Sequence, residues 1–164
     1  MIQVKLLDKT TLAKEIKKLI PGCILASSND ILKNDVVIIT QGTSRGGFAH
    51  IFKKSLTDVI ERILEISLKS NRIIVVGSLG GEFTSWPGIQ QDRMMYNIAK
   101  HCLSRFVQDW NQAGNECRIQ ICEPASFKTP MSGNTGMEIT KVVDAINFLI
   151  RNPEITKIQL RKNQ

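Results

Sequence analysis

Arg72-Ile73-Ile74-Val75-Val76-Gly77-Ser78 and, beyond the loop that follows, Tyr96-Asn97-Ile98-Ala99-Lys100 decide the fold. Four branched apolar residues in succession leave no polar face. Such a strand has both sides buried, the pattern of a parallel sheet covered by helices on each face. Past the loop, Met95, Ala99, Cys102, Leu103, Phe106 and Trp110 recur at three- and four-residue spacing and predict an amphipathic helix over residues 93–110. Strand, glycine-containing turn and helix together make one half of a βαβ unit.

The same alternation extends in both directions. Strands are expected at Ile2–Leu7, Cys23–Ser28, Val36–Thr40, Arg72–Gly77, Arg118–Glu123 and Thr156–Arg161. Leu56, Val59, Ile60, Ile63, Leu64 and Leu68 predict a helix over 52–70, and Pro21-Gly22 ends a shorter one begun near Thr11. A last helix carries Val142, Val143, Ile146, Leu149 and Ile150 and stops at Asn152-Pro153. The expectation is an α/β fold: a doubly wound, mostly parallel sheet of about six strands in a single domain over residues 1–164. Ligands of such sheets bind outside the carboxyl ends of the strands, which directs attention to Thr40–Gly47, Ser78–Gly88 and Pro124–Met131.

Composition narrows the function. With 42% hydrophobic and 23% charged residues the chain is of ordinary globular type. No run approaches the roughly 18 apolar residues of a membrane span, and the amino terminus reads as a strand rather than a secretory signal, so a cytoplasmic protein is expected. Cys23, Cys102, Cys117 and Cys122 lack Cys-x-x-Cys spacing, and His50 and His101 complete no zinc pattern; free buried thiols and no metal are expected. The net charge of +7 is dispersed among Lys14, Lys17, Lys18, Lys53, Lys54, Arg161 and Lys162. Only 5% of residues are aromatic, which argues against a nucleic-acid role.

Tyr96 and Lys100 share one helix face and stand outside its apolar stripe. An ammonium beside a phenol favours the phenolate, and the expected consequence is a lowered pKa and a usable acid/base. Upstream stands Gly77-Ser78-Leu79-Gly80-Gly81, followed by the turn Trp86-Pro87-Gly88. Downstream stands Pro124-Ala125-Ser126-Phe127-Lys128-Thr129-Pro130-Met131. In this context the chain resembles the short-chain dehydrogenase/reductase family from about Asp35 onward, through Val142–Ile150 and Asn152–Thr156. The resemblance implies a Rossmann-like fold and hydride transfer between NAD or NADP and a small-molecule carbonyl or alcohol. It implies Tyr96 as acid/base, Lys100 as its activator and a ribose ligand, and Ser78 as the group polarising the substrate oxygen. Pro124, Thr129 and Met131 would border the nicotinamide, and Gly42 would allow close backbone approach to the cofactor.

The departures from that pattern are specific. Ser78 lies 18 positions before Tyr96, a longer gap than the family's, so Ser85 or Thr84 could take its place. Ser55-Leu56-Thr57 stands where an asparagine commonly organises a proton relay. Gln41-Gly42 keeps only the glycine of a longer motif. At the front, Leu6-Leu7-Asp8-Lys9-Thr10-Thr11-Leu12 contains none of the glycines that admit a diphosphate, and Asp8 would repel one. The first βα unit is therefore expected to be missing or remodelled, with the Thr40–Gly47 loop and Arg45 as a rival phosphate site. Two functions lead, a divergent oxidoreductase or a non-catalytic remnant serving binding or assembly, ahead of a different small-molecule or nucleic-acid binder on the same scaffold. Under either reading, homo-oligomers through helices 52–70 and 93–110 are expected, and substrate specificity is expected to lie in loops 82–93 and 132–137.

Overall fold

The computed structural model describes residues 3–79, 91–132 and 134–161. Six strands form one all-parallel sheet: β1 (Val4–Leu6), β2 (Ile24–Leu25), β3 (Val36–Ile39), β4 (Arg72–Val76), β5 (Arg118–Pro124) and β6 (Lys157–Leu160). Their order in space is β2-β1-β3-β4-β5-β6. All six expected strands are present, each within or close to the span its apolar run suggested.

Alternation explains the layers. Val36 and Ile38 of β3 pack beneath α1 (Thr11–Leu19) and α5 (Ile139–Arg151), with Leu12, Ile16, Val142, Ile146 and Leu149. Val37 and Ile39 face the other way, onto α3 (Asp58–Ser67) and α4 (Gln91–Gln112), among Val59, Ile63, Ile66, Ala99, Leu103 and Val107. The period-two backbone thus sends successive apolar side chains into opposite cores, which is why no polar face interrupts the strands.

The helix expected over 52–70 begins earlier, at Phe48 after Gly47, as α2 (Phe48–Phe52). It passes through a π-helical turn, Lys53–Thr57, before continuing as α3. The apolar stripe starts only at Leu56, so periodicity concealed the first two turns. The π turn includes Ser55, which is fully buried.

β1 pairs with β2 on one side and β3 on the other. The strand order reverses there, so the position at which doubly wound sheets bind ligands falls at the carboxyl ends of β1 and β3. The first βα unit is present, as β1, α1 and β2, but its turn is the short Leu7–Thr10 segment. From β2 the chain returns to β3 through residues 26–35 without a further helix or strand of the sheet, save a 3-10 turn at Ser28–Asp30. Lys5 holds this segment: its ammonium lies 2.7 Å from the Asp35 carboxylate and donates to the Asp30 carbonyl, and both Lys5 and Asp35 are buried. Asp35 also accepts the Leu32 N–H at 2.7 Å. No helix of the described residues is long and apolar enough to cross a membrane.

Candidate active site

α4 delivers Tyr96 and Lys100 one turn apart to the carboxyl end of the sheet, while Ala99 and Leu103 anchor that helix in the core. β4 delivers Ser78 to the same place, just beyond Gly77. A Cβ on Gly77 would come within 2.9 Å of the Glu123 side chain, so a glycine lets β4 and β5 remain adjacent where β4 ends. Ser78 and Tyr96 are joined by a side-chain hydrogen bond. The long sequence gap therefore does not keep Ser78 from the tyrosine. Thr84 and Ser85 lie outside the described residues.

Lys100 is 2% exposed. Its Nζ donates to the carbonyls of Val76 (3.0 Å) and Gln41 (3.3 Å) and sits 5.7 Å from the centre of the Tyr96 ring. Gly42 makes room for it: a Cβ there would lie 3.0 Å from Nζ. Burial pulls the Lys100 ammonium down to about 8, opposed by the negative charge of Asp8. Tyr96 departs from expectation. Part of its surface meets solvent, yet burial pushes the phenol up to about 12 against the opposing hydrogen bond from Ser78. The expected lowering by Lys100 is not found: loss of hydration dominates, and the hydrogen bond from Ser78 is what opposes it. At neutral pH the tyrosine is therefore a phenol.

Pro124 ends β5 and is buried; Thr129 is 8% exposed in the loop that follows. The Thr129 N–H donates to Ser132 Oγ (3.0 Å) and its hydroxyl accepts the Ser132 N–H (3.3 Å), which fixes the loop locally. Met131 falls in the 3-10 turn Pro130–Ser132, its side chain outside the described atoms. Ser55 spends its hydroxyl on the backbone of Thr43, accepting the N–H at 3.0 Å and donating to the carbonyl at 2.9 Å. It staples the Thr40–Gly47 loop to the π turn.

At the strand-order switch the side chains close on one another. Asp8 Oδ2 accepts the Thr40 N–H at 2.8 Å, and the hydroxyls of Thr10 and Thr40 meet its other oxygen. Thr10 also caps α1, accepting the Ala13 N–H at 3.1 Å. The donor set suits the two ends of a nicotinamide dinucleotide unequally. Were one bound, Lys100, Ser78 and Tyr96 would offer its riboside hydroxyl and ammonium groups, whereas the β1–α1 turn would offer its diphosphate a carboxylate.

The sequence did not single out Glu123 or the cavity it lines. Glu123, 1% exposed, pairs with Lys157 Nζ at 2.8 Å and accepts from Gln159 Nε2 at 3.0 Å. Together with Ser78, Lys100 and His101, Glu123 and Lys157 line a cavity of about 200 Å³ beside the tyrosine–serine pair. A glutamate inside an apolar strand signals a paired interior charge, but its partner lies on another strand and cannot be read locally.

No family model matches the chain, and neither does any curated protein sequence. Solved structures do. An alcohol dehydrogenase from the archaeon Thermococcus sibiricus, complexed with 5-hydroxy-NADP, superposes with a TM-score of 0.79 at 11% identity, covering 100% of both chains. A short-chain dehydrogenase from Burkholderia cenocepacia in complex with NADP gives 0.76 at 10% identity, covering 98% of this chain and 88% of that one. A short-chain dehydrogenase from Streptomyces avermitilis gives 0.73 at 13% identity over 99% and 89%. The chain has the short-chain dehydrogenase/reductase fold, in a shortened six-stranded form.

Proposed function

We propose that the protein is an oxidoreductase interconverting a small carbonyl compound and its alcohol, with NAD or NADP as hydride partner and Ser78, Tyr96 and Lys100 managing the proton. The observation that carries this reading is the hydrogen bond between Ser78 and Tyr96 beside the buried Lys100 ammonium. A nicotinamide supplies hydride to the carbonyl carbon when bound. Ser78 donates a hydrogen bond to the substrate oxygen, and the Tyr96 phenol gives that oxygen its proton. Lys100 then stabilises the phenolate left behind, and Thr129 with Pro124 borders the nicotinamide end. Met131 is assigned to the same wall. A homo-oligomer through α2–α3 and α4 belongs to the same reading; a light-scattering mass that stays at one 18.4 kDa chain throughout dilution would remove it.

Turnover of a panel of aldehydes and ketones, with NADH and NADPH at millimolar concentration, tests the reading. Tyr96→Phe should lower kcat by about 10²–10⁴-fold, the usual value of a positioned acid. Because the Lys100 ammonium titrates at about 8, reduction should decline as pH rises through that value. Turnover indifferent to Tyr96→Phe, or none with either nucleotide, would leave the non-catalytic remnant as the better account.

A further inference from the structure

We infer that Asp8 is a specificity residue whose carboxylate, fixed on Thr40 at the strand-order switch, keeps a diphosphate out of the crevice, so that a nicotinamide nucleotide is engaged through its uncharged riboside half. This rests on the carbonyl–alcohol reading above and names which part of the hydride donor the protein holds.

An anion at such a crevice is met by backbone N–H groups at the end of one strand and the start of the following helix. Here two of those donors are occupied: the Thr40 N–H is taken by Asp8 and the Ala13 N–H by Thr10 Oγ1. Arg62, reaching over from α3, donates to the Leu7 carbonyl at 3.4 Å. The exposed Lys9 is the cation adjoining Asp8 in sequence. The switch thus carries its own anion, the half-buried Asp8 carboxylate, which repels a second negative charge brought within a few ångströms. Asp8 also acts on the Tyr96 end of the crevice. Thr40 leads into Gln41, whose carbonyl accepts from Lys100, and the Asp8 charge favours the Lys100 ammonium. The carboxylate that turns a diphosphate away therefore supports the cation beneath Tyr96.

Isothermal titration of the wild-type chain and of Asp8→Asn, with NADH and with reduced nicotinamide riboside, tests this directly. The wild type should bind the two ligands within about tenfold of each other, and Asp8→Asn should tighten NADH and raise the ratio of NADH to riboside affinity by about tenfold or more. The wild-type comparison holds even where the variant folds poorly. A wild-type preference for NADH beyond tenfold, or a variant that leaves NADH unchanged or tightens both ligands alike, overturns the inference. If Asp8→Asn gains NADH affinity while turnover ignores Tyr96→Phe, the role of Asp8 stands and the catalytic reading falls. Riboside binding and Tyr96-dependent turnover without that gain would remove the role of Asp8 and leave the catalytic reading standing.

Discussion

The sheet buries two lysines and treats them in opposite ways. Lys5, under the 26–35 connection, is matched by the Asp35 carboxylate at 2.7 Å. Lys100, at the carboxyl ends of the strands, donates to the carbonyl oxygens of Gln41 and Val76, with Asp8 acting on it only as a more distant charge. A buried cation that holds a chain segment in place is stable when neutralised on the spot. One held by carbonyl dipoles instead binds its proton less tightly and stays able to respond to a charge that forms nearby.

Removing Lys5 should be the more damaging change. Lys5→Met leaves the Asp35 carboxylate buried without its cation and should cost about 3–5 kcal/mol in urea unfolding, with Lys5→Met/Asp35→Leu recovering much of the loss. A cost no larger than that of a surface lysine would erase the distinction.

Lys100→Met should act in the opposite direction. At neutral pH the folded protein carries an ammonium whose proton affinity burial has reduced, so the variant should be more stable by about 2 kcal/mol, after allowing for the two carbonyls left without their donor. The sign follows from proton counts. Between about 8, the folded value, and 10.5, the ordinary one, the unfolded chain binds more protons than the native state. Wild-type stability from this group therefore rises with pH across that window, and the advantage of the variant should shrink there. Thermal unfolding of both proteins from pH 7 to pH 10 measures it; a variant less stable than wild type at pH 7 would show the ammonium to be well compensated after all.

The smallest effect concerns the loop between these regions. Ser55→Ala removes the staple on Thr43 and should cost about 1 kcal/mol, read as a shift in the urea midpoint with unchanged slope. No loss would mean that the π turn holds the Thr40–Gly47 loop without the hydroxyl.

Much of this molecule is legible in its sequence because the relevant physics is local and periodic. Unbroken runs such as Ile73–Val76 can be satisfied only with both faces covered, and the spacing from Met95 to Trp110 admits only a helix with its stripe inward. The four-residue interval from Tyr96 to Lys100 places them on one face by geometry alone. The absence of glycines from Leu7-Asp8-Lys9-Thr10 was equally visible, as was the charge that Asp8 brings.

Tertiary structure alone decided what those residues meet. Whether Ser78 reaches Tyr96 depends on the packing of β4 against α4, and the 18-residue separation is silent about it. The phenol's upward shift, contrary to the expected effect of Lys100, comes from desolvation, which is a property of everything packed around the ring. Lys5 with Asp35, Glu123 with Lys157, and Asp8 with Thr40 are likewise pairings across distant segments. Periodicity fixes which way a side chain faces; only the assembled sheet, through strand order and burial, determines the partner it finds and the charge it can keep.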